Sequence, residues 1–415
     1  MPVFLQFLAF LFLVVVHVES EAETFRKTLI SAEKSLHVDT WQVTHQELTP
    51  RAESGWSIRK ITLHGGKQEG VDLVILDNGI LSITVVPTRG TGILEVKGGK
   101  LRIGWESPVK EVVHPAFINL QSRGGLGWLE GFNEWLVRCG LENTGHPGTD
   151  EFINNVGEKA QMDLTLHGKI ANIPASEVEV VVDREPPHRI AVRGRVDERM
   201  FYGPQLELWT EVSAIPGEYG FRVSDTLTNR GDSDSEFQLL YHVNFGAPLL
   251  EEGARFIAPI QSVAPFNAHA AEAIQTFQDY SAPTPGFVEQ VYCMHLYSAT
   301  DSRTTVGLVT QNRGRAVSMS FSTEELPCMT LWKNTGEIKD GYVTGLEPGT
   351  SFPYNRRIER GFGRVPKIAP GGSREFHIDF EVHSGHEKVE ELGRRIEAIR
   401  AGRPTEVSVE PPKID

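Results

Sequence analysis

The sequence predicts an all-β fold, a large antiparallel β-sandwich followed by a short C-terminal helix. Three observations carry this. Short β-rich runs broken by turn residues fill the chain from Trp56 to Val382. Several of them alternate apolar and polar residues with the period of two that a half-buried strand requires. Helical periodicity is confined to the C-terminal end. Such a density of strands with almost no crossover helices fits a sandwich or barrel and not a parallel α/β sheet.

The elements follow in order. In 71-VDLVILDNGILSITVVP-87 two β-rich runs flank Asp77-Asn78-Gly79, a turn sequence. The stretches 177-EVEVVVD-183, 190-IAVRGRV-196, 205-QLELWTEVSA-214, 220-GFRVSDTLTNRG-231 and 375-EFHIDFEV-382 read as further strands. In the third, Leu206, Leu208, Thr210 and Val212 alternate with Glu207, Trp209 and Glu211. The run 127-GWLEGFNEWLVRCG-140 is apolar with scattered glycines and reads as a loop with one helical turn. Val389, Leu392, Ile396 and Ile399 recur at helical spacing in 387-EKVEELGRRIEAIRAG-402, with Gly402 closing the helix. The expected organisation is a signal peptide over 1–21, one sandwich domain over 25–385, and a helix and tail over 386–415.

The chain has 415 residues, 40% hydrophobic and 23% charged, within the range of soluble globular proteins. Its net charge of −14 argues against nucleic acid or an anionic membrane as partner. An apolar run from Val3 to Val16, turning polar at Glu19, is short for a membrane span and fits the apolar region of a signal peptide. The expected location is therefore the periplasm or cell envelope, with no stable membrane insertion once the signal is cleaved. Cys139, Cys293 and Cys328 allow one disulfide at most, and no metal-spaced Cys/His motif occurs, so neither a metal nor another cofactor is expected.

Four stretches stand out as carriers of chemistry. In 239-LLYHVNFG-246, His242 and Asn244 fall on one face of a strand, between Tyr241, Val243 and Phe245. The stretch 164-LTLHGKIANIP-174 puts His167 before a glycine turn. In 343-VTGLEPGTSFP-353, Glu347 has apolar neighbours, and in 136-LVRCGLENTG-145 Arg138 sits in an apolar run. Taken singly, each is more often a satisfied core or turn residue than a catalytic one.

Together and in this order the four stretches resemble the aldose 1-epimerases of the galactose mutarotase superfamily. Those proteins carry an arginine, an "LHGG", a strand "NHxYFNL" and a late "LEPQxxPDxxN". Here 345-GLEPGTSFPYN-355 retains the Glu, a Pro and the Asn, and 369-APGGSREFHIDFEV-382 resembles the family's last turn and strand. The likeness spans roughly Val71 to Val382 and is nearest to an uncharacterised subgroup with an "LYHxNFG" strand. "LHGK" replaces "LHGG", and Tyr241 stands where the family has Asn. The resemblance implies a supersandwich with a sugar cleft on a concave sheet. It implies Glu347 as general base and His242 as general acid, facing each other across a sugar-sized gap. His167 would hold substrate and Arg138 would clamp its hydroxyls, with Asn244 beside them. A further acidic position falls on Glu289 or, equally, Gln290.

Such residues suit the opening and reclosing of a sugar ring by general acid–base catalysis, without metal or redox cofactor, on a mono- or oligosaccharide. Trp332, Phe245 and Trp209 are aromatics that stack on sugars elsewhere, although core packing is the commoner fate. His295 lies close in sequence to Glu289 as a possible cleft residue. The stretch 63-LHGG-66 precedes the first matching strand and reads as a turn. The glycines of 124-GGLGWLEG-131 lack the strand–helix context of a phosphate loop. Two alternatives stay open, a different sugar reaction (elimination or glycoside cleavage) on the same scaffold and a non-catalytic carbohydrate-binding protein.

Overall fold

The computed structural model describes residues 24–99 and 101–413. The expected signal segment lies outside the described residues. Two large sheets form the molecule. One has ten strands, with Gly220–Asn229, Gln205–Ala214 and Ile190–Arg199 as its long central members beside Ser373–Ser384. The other has thirteen, and its middle runs Gln290–Leu296, Cys328–Asn334, Val343–Gly349, Gln238–Phe245, Leu136–Leu141, Gly92–Gly98, Ser82–Val86. Pairing is antiparallel except where the short Glu406–Val407 strand joins Ile260–Pro265 in parallel. This is the sandwich read from the strand pattern.

The core lies between the sheets. Leu208, Val212, Val223, Ile378 and Phe380 from one sheet pack with Ile83, Val85, Tyr241, Val243, Phe245, Leu331 and Leu346 from the other. Phe245 is therefore core, and its ring meets Trp135 edge-on. Trp209 is on the outward side of the ten-stranded sheet, between the guanidinium groups of Arg193 and Arg195. Neither aromatic is available for sugar stacking near His242, and for Phe245 this is the commoner fate, core packing. The reason for Phe245 is parity: it follows Tyr241 and Val243, and alternate residues share a face.

Asn78 closes the expected Asp77–Gly79 turn. Its Oδ1 accepts from the N–H groups of Ile80 and Leu81, while Nδ2 donates to the carbonyls of Ile215 and Glu218. The 127–140 run divides into a 3₁₀ turn, Gly127–Gly131, and the strand Leu136–Leu141. The C-terminal helix is His386–Arg400, and Val389, Leu392 and Ile396 bury against Val309 and Ala316 on the outer face of the ten-stranded sheet. Left-handed Ala401, not Gly402, ends it, with its N–H bonded to the Glu397 carbonyl. Among the described residues no helix is long and apolar enough to cross a membrane. All three cysteines are buried and free.

A buried histidine–carboxyl site on the outer face of the larger sheet

The strands Gln238–Phe245 and Val343–Gly349 are neighbours, and Leu240 pairs with Gly349 and Val243 with Leu346. The same register sets His242 opposite Glu347, so both side chains leave the same face, away from the inter-sheet core. Their closest atoms, His242 Nε2 and Glu347 Oε1, are 3.1 Å apart. The expected sugar-sized gap between them is therefore absent: directly opposed residues on adjacent strands have side chains within contact distance. A β-carbon at Gly345 would collide with Glu347 Oε1 and crowd His242, so the glycine makes room for the carboxyl.

Other elements converge on this pair. Asn244, two residues along the strand, accepts at Oδ1 from His242 Nδ1 at 2.7 Å. Its Nδ2 donates to the carbonyls of Glu134 at 3.0 Å and His242 at 3.3 Å. His167 arrives from a turn after the strand Lys159–Leu164, and its ring centroid is 5.5 Å from that of His242. Its Nδ1 donates to the Thr144 carbonyl at 2.7 Å. The His167 backbone is left-handed, φ +58°, which costs a β-substituted residue about 1–3 kcal/mol and is found where a site demands it. Gly168 follows, also left-handed, close against the Gly140 and Asn143 carbonyls where a side chain would not fit.

Aromatic rings line the remaining walls. Trp128 meets His167 edge-on with centroids 4.6 Å apart, and Phe132 and Trp332 each lie 5.3 Å from His242. Trp332 is half-buried, and its Nε1 donates to exposed Glu289 at 2.7 Å. His242 is 4% exposed and Glu347 2%, so the pair is closed from solvent. Two surface grooves, of about 1040 and 1050 Å³, are lined by neither residue.

Burial dominates the electrostatics. It pushes the His242 imidazole well below the ordinary histidine value, with help from nearby His167 and against the pull of Asn244. It pushes Glu347 well above the carboxylate range, and the charge of Glu289 adds to this. His167 falls to about 4 for the same reason, opposed by its bond to Thr144. Three buried polar atoms here have no hydrogen-bond partner: Glu347 Oε1, Thr330 Oγ1 and Trp128 Nε1. Thr330 is directly opposite Glu347 on the adjoining strand. Unpaired buried polar groups are costly, and a cluster of them on one face is what a polar ligand would satisfy.

Arg138 does not join this site, which corrects the expectation drawn from the resemblance. It pairs across the ladder with Tyr241, not His242, and so points into the inter-sheet core. There Nε and Nη2 hold both oxygens of Asp225 at 2.5 and 2.9 Å, and Nη1 donates to the Thr91 carbonyl. The Tyr241 hydroxyl completes the cluster by donating to Asp225 at 2.8 Å. Gln290, half-buried, accepts at Oε1 from the Tyr292 hydroxyl. His295 is exposed, bonds the Pro327 carbonyl and packs on Phe352. His64 of the early LHGG pairs with Glu69 on the surface.

The sequence reading missed Trp128, Phe132, Thr330 and the Arg89–Glu134 pair. Arg89, fully buried, donates to Glu134, to the Gly131 carbonyl and to Asn172. It thus ties the Trp128 turn to the segment after His167 and to the residue whose carbonyl holds Asn244. The one available signal was an arginine in the turn-rich 87-PTRGTG-92. Among the described residues no group of three His, Cys, Asp or Glu is arranged to hold a metal ion.

Comparison with known proteins covers most of the chain. Residues 68–382 match the family described as "Domain of unknown function (DUF4432)". No curated protein matches. The crystal structure of a candidate aldose 1-epimerase from Klebsiella pneumoniae is similar at 41% identity, over 95% of this chain and 100% of that one, with a TM-score of 0.89. A galactose mutarotase-like protein from Clostridium acetobutylicum shares the fold at 13% identity and a TM-score of 0.53, over 83% and 99% of the two chains. A galactose mutarotase related enzyme from Lactobacillus acidophilus does so at 15% and 0.50, over 76% and 99%. This chain belongs to the DUF4432 family, with the β-sandwich fold of the galactose mutarotase-like proteins.

Proposed function

We propose that the protein is a carbohydrate-active isomerase of the aldose 1-epimerase type, opening and reclosing a sugar ring with Glu347 and His242. The observation that carries this is the cross-strand contact of an imidazole and a carboxyl, buried among aromatic rings and unpaired polar atoms. Anomer exchange requires one proton taken from the anomeric hydroxyl and one given to the ring oxygen. Those two oxygens share a single carbon and so lie side by side. An acid and a base in contact suit them as well as a pair on opposite faces of the ring. His167 Nε2, left free by the Thr144 bond, and Thr330 Oγ1 supply further partners for sugar hydroxyls, and Trp128, Phe132 and Trp332 offer ring faces. The apolar Val3–Val16 run supports an extracytoplasmic sugar as substrate.

A second reading is glycoside cleavage. It rests on Glu289, whose charge acts on Glu347, because two carboxyl groups flanking one bond are the equipment of that reaction. NMR of the purified protein with reducing mono- and oligosaccharides separates the two. Faster anomer exchange with the sugar intact is the expected result. New reducing ends favour cleavage, and line broadening without exchange or cleavage indicates binding alone.

A further inference from the structure

The resemblance implies a carboxylate base and an imidazolium acid. We propose the reverse: at neutral pH Glu347 carries the proton and donates it, while His242 Nε2 is the bare base. This rests on the sugar-isomerase reading for its chemistry but not for the placement of the proton.

Asn244 sets the tautomer. Its Nδ2 faces two carbonyl oxygens, Glu134 at 3.0 Å and His242 at 3.3 Å, so the amide cannot be turned over without opposing oxygen to oxygen. Oδ1 must then face His242 Nδ1, 2.7 Å away, and Nδ1 carries the hydrogen. In the neutral ring this leaves Nε2, 3.1 Å from Glu347 Oε1, as the bare nitrogen.

The carboxyl has no support for a negative charge. Among the described residues no N–H or O–H group donates a hydrogen bond to Glu347, and the 3.1 Å contact with Nε2 leaves Oε1 without a partner. The titratable neighbours supply no positive charge. His167, from the turn after Lys159–Leu164, has its pKa lowered to about 4 by burial. His146, from the loop after Leu136–Leu141, is lowered by burial as well. Cys139, on the adjoining strand, is a thiol held neutral by burial. Glu289, before Gln290–Leu296, is acidic and repels a second carboxylate. The buried guanidinium groups of Arg138 and Arg89 are occupied, by Asp225 and Glu134. Ionised, the two groups would have only their unaligned 3.1 Å contact to offset the desolvation of two buried ions, several kcal/mol each, so the neutral pair is favoured. The directions of both pKa shifts agree with this.

The step balances. The anomeric hydroxyl gives its proton to His242 Nε2 as Glu347 protonates the ring oxygen. The bond from C1 to the ring oxygen breaks and C1 becomes a carbonyl. The imidazolium and carboxylate so formed return the protons when the ring recloses on the other face. Asn244 acts as a positioning residue throughout.

Both assignments give a bell-shaped pH profile, so spectroscopy decides. In ¹⁵N-histidine-labelled protein without sugar, His242 (assigned by its loss in His242→Asn) is expected to show a protonated Nδ1 and a bare Nε2. This state should persist well below the ordinary histidine pKa of about 6.5. An imidazolium at pH 7, or an Nε2-protonated tautomer, overturns the proposal. Infrared difference between the parent and Glu347→Gln should show a protonated carboxyl at pH 7, and a carboxylate band in its place overturns it equally. Asn244→Asp should convert His242 to imidazolium, and an unchanged ring would remove Asn244 from its role. These spectra need no substrate. A protein inactive on every sugar but with neutral His242 sinks the isomerase reading alone, and an active isomerase with imidazolium sinks this one alone.

Discussion

The strand Gln238–Phe245 carries two buried polar clusters, one on each face, and they differ in completeness. On the core face the Asp225 carboxylate receives two bonds from Arg138 and one from Tyr241, and Arg138 uses its third nitrogen on a carbonyl. On the outer face Glu347 touches His242 with no aligned hydrogen bond, beside the unpaired Thr330 hydroxyl and Trp128 indole. Both are buried. A buried ion pair with every donor satisfied holds two sheets together, whereas a buried neutral pair beside orphaned polar atoms leaves hydrogen-bonding capacity unused. Completeness of hydrogen bonding, more than burial, separates the two clusters.

The sharpest way to break this comparison is to open the core cluster. Arg138→Ala leaves the Asp225 carboxyl between the sheets with the Tyr241 hydroxyl but no cation, and about 3–5 kcal/mol of stability should be lost in denaturant unfolding. A loss below about 1 kcal/mol, with sugar affinity reduced instead, would return Arg138 to the cleft. Glu347→Gln should do the opposite. Turnover on a confirmed sugar should fall about 10²-fold or more, because the amide has no proton to give. Stability should not fall. The folded-state pKa of Glu347 lies above its unfolded value of 4.5, so its contribution is intact below 4.5 and declines as pH rises. The variant should therefore melt at the parent's temperature near pH 4 and above it at pH 8, and a lower melting temperature at pH 8 contradicts the unpaired carboxyl.

His167 sharpens the same contrast from the acid side. Its pKa is depressed to about 4 from 6.5, so the unfolded chain takes up the proton first as pH falls. Between pH 6.5 and 5 this should cost about 2 kcal/mol of stability, at 1.36 kcal/mol per pH unit. The acid slope should flatten in His167→Asn, and an unaltered slope would show that the histidine is accessible to water. The smallest effect is expected at Thr330. Removing its unpaired hydroxyl in Thr330→Val should change stability by less than about 1 kcal/mol while weakening sugar binding. A clear loss of stability would mean that the hydroxyl has a partner in the folded protein.

Much of the fold was legible in the chain. Apolar–polar alternation in 205-QLELWTEVSA-214, the Asp77–Gly79 turn and the helical spacing of Val389, Leu392 and Ile396 are local signals, and local signals are enough to define strands, turns and an amphipathic helix. The shared face of His242 and Asn244 follows from the period of two and needed no partner strand. The face on which Arg138 lies was not legible. All six residues of Leu136–Leu141 and all eight of Gln238–Phe245 are buried, because the larger sheet is covered on both sides around the site. A strand covered on both sides loses the polar–apolar alternation that marks its inner face, and its parity can no longer be read. The sequence by itself thus determined which segments are strands and which residues alternate together. The tertiary structure alone decided that Glu347 stands opposite His242 and Arg138 opposite Tyr241, because register is set by packing between strands roughly a hundred residues apart and not within either of them.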